Sequence, residues 1–253
     1  MYDPAQALAM VDLHRWPLLT LCGLAMVANY VWFIEGYRVV ARERLYSLPL
    51  FCTFFWFAHD LSVVYRYDTW FHHFDHWFPK LWWGALVLTV LFELAFLGQA
   101  ARLGRPELLP GSTPMQFGLL MAAGAGSAVV VWELLKWVLD DQLYLLMFGV
   151  AVGAYPLFSV PLLLRRRSAA GQTPLMWVSY TVLAACYFTA TALWLGDGFR
   201  DWRWLLFGAG CIAAGPVMTY VVYQMRTNGR TFGMRAPDPA VPMRAALAVE
   251  VGG

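Results

Sequence analysis

The sequence predicts an all-α fold: a polytopic membrane protein of seven transmembrane helices, N-terminus outside and C-terminus cytoplasmic. Composition is the first observation. Of 253 residues, 60% are apolar or aromatic and 13% are charged, against about 45–50% and about 25% in soluble domains. Block length is the second, because the apolar residues come in runs near the roughly 20 residues that a bilayer core demands. Charge placement is the third. Twelve arginines fall in the first, third and fifth loops and the tail, against six arginines and lysines on the opposite side, and the richer side is the cytoplasmic one.

The spans are expected at about 16–34, 48–65, 81–99, 115–138, 142–164, 174–195 and 204–224, together a transmembrane domain over 1–225. Connectors are short and carry breakers, as in LLPGSTP and SAAGQTP. Before the first span, MYDPAQALAMVDLHRW lacks a basic start ahead of an apolar core, so no cleavable signal is expected and span 1 serves as the targeting signal. The second loop, RYDTWFHHFDHWFPK, places Trp70, Phe71, Phe74, Trp77 and Phe78 where a short interfacial helix would use them. Residues 226–253, rich in Gly, Pro and Arg, read as a mobile cytoplasmic tail. Cys22, Cys52, Cys186 and Cys211 all lie in apolar blocks with no CxxC pair, which argues against disulfides or a cysteine zinc site. A net charge of +2 provides no basic field for nucleic acid. The compact loops suit a bacterial plasma membrane as well as the endoplasmic reticulum.

Ionisable groups inside a span are costly and mark function. Asp60 in span 2, Glu93 in span 3 and Glu133 in span 4 qualify. Span direction predicts an outer layer of Asp60 with Glu133 and an inner layer of Asn29 with Glu93. Glu133 precedes Lys136 by three residues, a spacing that allows an ion pair on one helix face. Glu93 has Thr89 and Asn29 as possible hydrogen-bond partners. Asp60 lies in LFCTFFWFAHD, with Trp56 and Phe57 one turn before it. Burial against such rings disfavours a charged carboxylate, and a neutral carboxylic acid can donate a proton. HHFDH, with His72, His73, Asp75 and His76, has the look of a metal-binding box. It is a single box, whereas two-metal centres need many ligands, so no metal and no cofactor are expected. Span 7 has no lysine for a retinal Schiff base, and Walker, GxSxG and HExxH motifs are absent.

The stretch ANYVWFIEGY, the loop RVVARERLY, and then Pro49–Leu50, Cys52 and Trp56 resemble the integral-membrane terpene cyclases of fungal indole-diterpene and meroterpenoid pathways and their seven-span bacterial relatives. A weaker likeness covers RRRSAAGQTPLMW and TYVVYQM. In that family a catalytic acid directly follows the span 2 tryptophan; here Phe57 stands there and Asp60 comes three residues later. The family's second acid, in the last span, has no counterpart in 204–224. The resemblance implies a lipophilic prenylated small-molecule substrate entering from the membrane lipid. Asp60 would be the proton donor, and Glu133 or Glu93 would position it or accept the final proton. Asn29, Trp56, Phe57 and Trp132 would form the cavity wall. Two other readings stay open: a small transporter or proton-coupled carrier, using the acids and the Pro/Gly interruptions GAYPLFSVP and AAGPV, and a metal-dependent membrane oxidoreductase built on HHFDH.

Overall fold

The computed structural model describes residues 2–228, with 230–231 and 234–235 beyond them. Among the described residues nine α-helices follow in chain order: α1 (Pro4–Leu13), α2 (Arg15–Glu43), α3 (Leu50–Tyr65), α4 (Trp77–Leu103), α5 (Arg105–Leu108), α6 (Pro114–Leu139), α7 (Leu145–Arg166), α8 (Pro174–Trp194) and α9 (Trp202–Asn228). Two short strands, Arg230–Thr231 and Met234–Arg235, pair antiparallel after α9. Among the described residues six helices are long and apolar enough to cross a membrane: α2, α4, α6, α7, α8 and α9. Their outward faces are apolar too. Leu24 and Val27 on α2, Leu91 on α4, Val130 and Leu134 on α6 and Val217 on α9 are all exposed, as lipid contact requires. The chain is a multi-pass membrane protein.

Local sequence sets the helix ends. Thr113 caps α6 and exchanges hydrogen bonds with Gln116 in a capping box, with Pro114 at the first helical position. At α8 the Thr173 hydroxyl accepts from Met176 N at 3.3 Å, and Pro174 again takes the first helical position. Contacts between connectors sort the bundle into two ends. At one end Tyr2 meets Asp141 and Phe199, and Asp12 meets Trp77 and His76. At the other, Glu43 joins Gly171 and Arg226, while Glu107 joins Arg165 and Arg166.

The structure adds to the sequence expectations and corrects some of them. The N-terminal residues form a helix, α1, whose Ala7, Leu8 and Val11 pack into the core. The second loop does hold a short helical stretch, 67–73, which widens over Thr69–His73, but it packs Trp70 into the bundle, with Nε1 donating to the Val63 carbonyl at 2.7 Å. Phe78, expected at the headgroups, is also buried. The residues from 226 onward begin inside α9, which runs to Asn228; apart from the short strand pair, the rest of the expected tail lies outside the described residues.

Of the apolar helices α3 is the short one. Sixteen residues make about 24 Å of helix, below the about 30 Å of a hydrocarbon core. Its flanks are sheltered by protein rather than lipid: Tyr46, Ser47 and Leu48 before it and Trp70 after it are buried. Irregular backbone at depth is tolerated in that setting. Consequently α3 ends well below the α4 rim, and Trp83, nearly two turns into α4, donates to the carbonyl of Val64 at 2.9 Å.

Candidate functional site

That offset sets the depth of Asp60. One turn and a half beyond Trp83, Thr89 donates its hydroxyl to Asp60 Oδ2. One further turn along α4 lies Glu93. Asp60 and Glu93 therefore line the same cavity, together with Asn29 from α2. The expected separation into an Asp60–Glu133 layer and an Asn29–Glu93 layer does not hold, because it assumed that α3 and α4 begin and end at the same depths.

The cavity holds about 40 Å³. Its apolar wall comes from Trp32 and Phe33 of α2, Trp56 of α3, Phe148 of α7, and Tyr180 and Leu183 of α8. These rings hold one another in place. Trp32 meets Trp56 edge-on at 5.3 Å and Tyr155 at 4.9 Å, and Tyr155 stacks on Trp177 at 4.5 Å. Pro156 breaks the hydrogen-bond ladder of α7, having no N–H to give Val152. The adjoining Ala151 carbonyl accepts a bond from Trp56 Nε1 at 2.8 Å.

Both oxygens of Asp60 are held. Oδ2 accepts from Thr89, and Oδ1 lies 2.6 Å from His59 Nδ1. His59 is buried against the rings of Trp132, Tyr144 and Phe148, with centroids at 5.2, 5.7 and 5.8 Å. Its Nε2 has no hydrogen-bond partner, nor has Oε2 of Glu93. Thr89, a sequence candidate as partner of Glu93, serves Asp60 instead.

Glu133 belongs to a second cluster. Its Oε2 pairs with Arg66 Nη2 at 2.5 Å, and its Oε1 accepts from Ser62 Oγ at 2.6 Å. The expected Glu133–Lys136 pair is absent. Lys136 Nζ lies 4.5 Å from the centroid of Tyr144 and donates to the Asp141 carbonyl at 3.4 Å. Arg66 outcompetes it because a guanidinium offers carboxylate two donors in a fixed fork. Ser62 Oγ also lies 2.6 Å from Tyr144 Oη, and Arg66 donates to both hydroxyls.

The structure thus brings Asp60, Glu93, Asn29 and Trp56 to one cavity and leaves Glu133, Phe57 and Trp132 off its lining. Trp132 packs behind it, edge-on to Phe55 at 4.2 Å and to His59. Sequence reasoning missed His59 as the partner of Asp60, since neighbours one apart on a helix do not usually face each other. No pattern in the sequence marks Phe148, Tyr180 and Leu183 as wall residues. In HHFDH the imidazoles diverge: His76 turns to Asp12 at 3.2 Å and His72 to Asp68 at 3.9 Å. Among the described residues no group of three or more His, Cys, Asp or Glu could hold a metal ion.

Fold and site together define a polytopic α-helical membrane protein with an acidic, aromatic-walled cavity inside its bundle. No protein family, curated protein or solved structure matches the chain.

Proposed function

We propose that this protein is a membrane-embedded terpene cyclase. The observation that carries the reading is Asp60 at the wall of a buried aromatic cavity, both carboxyl oxygens fixed by His59 and Thr89. Cyclising a prenyl chain needs a proton donor aimed into an apolar space, aromatic faces to stabilise the migrating cation and exclusion of water that would quench it. Asp60 gives its proton to a terminal alkene or epoxide. Trp32, Trp56 and Phe148 face the cation. Glu93, which lines the same cavity, takes the final proton. One proton enters the substrate and one leaves, so the product is an isomer of its precursor.

The void of about 40 Å³ is far below the roughly 300 Å³ or more of small-molecule sites. Substrate entry therefore parts the rings that close it. A second reading, a proton-coupled carrier, rests on the two carboxyls Asp60 and Glu93 facing one cavity inside the bundle. Gradient-dependent uptake into sealed vesicles would establish the carrier.

The topology belongs to the same proposal. With α3 as a further crossing, seven spans place the N-terminus outside and the arginine-rich end in the cytoplasm, in a bacterial plasma membrane or endoplasmic reticulum. The alternation of connectors between two ends of the bundle supports this count.

The test is co-expression with a pathway that supplies prenylated precursors, followed by a search for a product of unchanged mass. Asp60→Asn is expected to abolish that product while the protein still accumulates in membranes. Undiminished turnover by Asp60→Asn would defeat the cyclase reading.

A further inference from the structure

On its outside the bundle carries a second recess. It lies where the start of α3 and the end of α7 meet α5, holds about 210 Å³ and shares no residue with the Asp60 cavity. We propose that this groove is a binding site for an anionic phospholipid, its phosphate on Arg165 and an acyl chain along Phe51 and Phe158. The inference goes beyond the chemistry at Asp60 and does not depend on it.

The wall is apolar: Leu50 and Phe51 come from α3, Leu108 from α5, and Phe158 and Leu162 from α7. The rings of Phe51 and Phe158 stack, with centroids 4.0 Å apart, and Phe51 is exposed on the outside of the bundle. In a membrane protein such a face is covered by lipid. Arg165 decides which lipid, because it supplies the charge on the wall. It is the last residue but one of α7, which places it at headgroup depth. Phe158 lies seven residues earlier, about 10 Å along the helix, and so among the acyl chains. Phosphate at Arg165 and hydrocarbon at Phe158 thus follow the lie of one lipid molecule.

The charges at the mouth do not balance. Arg166, its side chain 6% exposed, closes on both oxygens of Glu107, with Nη2 2.8 Å from Oε2 and Nε 3.0 Å from Oε1. That pair already neutralises the carboxylate. Arg165, its side chain 47% exposed, is a second guanidinium on the same acid. Its Nη2 alone reaches Oε1 at 2.8 Å and also donates to the Tyr46 hydroxyl. Two guanidiniums against one carboxylate leave one positive charge over. A guanidinium presents its donors as a planar fork that matches phosphate, and only one arm of this fork is engaged. A lipid of net charge −1 balances the surplus. A zwitterionic lipid brings its own ammonium to the same place and gains less. Basic pockets between helices at headgroup depth select anionic lipid for this reason, by about fivefold for each arginine engaged.

Native mass spectrometry of the full chain, released from detergent micelles after titration with lipid, tests the site. Phosphatidylglycerol and phosphatidylcholine of identical acyl chains are compared. The wild type is expected to take its first phosphatidylglycerol about fivefold more tightly. Arg165→Gln should bring the two lipids to parity. Arg42→Gln, which removes an exposed arginine off the groove but at the same end of the bundle, should keep the preference. Glu107→Gln, which removes the competing carboxylate, should widen it, and this variant carries the test should Arg165→Gln not fold. Equal affinities in the wild type overturn the site. So does a preference that survives Arg165→Gln, or one that Glu107→Gln leaves unchanged. A preference lost equally in Arg42→Gln would mean a general basic surface and would overturn the groove. Inorganic phosphate is expected not to displace the lipid; displacement would mean a site for soluble anions and would remove the lipid assignment.

Discussion

Asp141 is fully buried although it lies in the connector between α6 and α7. Burial raises its pKa, opposed by the bond from Tyr2 and by the Met147 backbone N–H. Tyr2 Oη donates to Oδ1 at 2.5 Å, and Met147 N to Oδ2 at 2.7 Å. Tyr2 Oη in turn accepts from Leu143 N at 2.9 Å. One hydroxyl thus satisfies two buried groups and ties the N-terminal helix to the start of α7. Tyr2→Phe leaves both unpaired, at a cost of about 1–3 kcal/mol. Thermal unfolding in detergent should show a clearly lowered midpoint, and an unchanged midpoint would refute the tie. Glu107 behaves oppositely. Burial raises its pKa, but Arg166, bound at 2.8 and 3.0 Å, and Arg165 together hold it below the ordinary 4.5. A carboxyl lowered on folding contributes stability above the ordinary value, which is lost as pH falls through the lowered one. The stability gap between wild type and Glu107→Gln should therefore be full at neutral pH and close progressively below about pH 4.5. A gap independent of pH would show that the ion pairs contribute nothing.

Helix against helix, the close approaches depend on residues without side chains. A Cβ at Gly215 of α9 would lie 2.1 Å from Thr181 Oγ1 of α8, and one at Gly149 of α7 would lie 2.3 Å from the Trp204 ring of α9. Small residues allow such approaches, and in a membrane close van der Waals packing is the main force between helices. Gly149→Ala forces the bulky Trp204 ring to move and is expected to destabilise by about 1–3 kcal/mol. Gly126, with nothing within 4 Å of its added Cβ, is the control, and Gly126→Ala should leave the unfolding midpoint unchanged or raised. Equal midpoints for the two variants would remove the packing argument. From the sequence, Gly215 in AAGPV could be read only as a helix interruption and Gly149 had no reading, because spacing along one chain says nothing about which neighbouring helix comes near. The span blocks were legible, and α6, α7 and α8 begin and end within a few residues of 115–138, 142–164 and 174–195. The fold-back of 66–76 was not, since an aromatic loop reads alike whether its rings meet lipid headgroups or a bundle.

For the whole molecule, the proposed odd number of crossings puts the two termini on opposite sides of the membrane. Reporter fusions at each end, one active only outside and one only inside, should give opposite responses; like responses would mean an even count and would remove α3 as a span. The apolar blocks alone determined that this is a helical membrane protein, because twenty apolar residues in a row find no other stable place. They also singled out Asp60 and Glu93, since a lone carboxyl in such a block is expensive wherever it ends up. Which acids share a cavity was decided by tertiary structure. The shortness of α3 brings Asp60 level with Thr89, a turn from Glu93, and Arg66 draws Glu133 into a separate cluster. Depth along a helix can be counted from sequence only if neighbouring helices start at the same level, and that level is set by how the connectors pack.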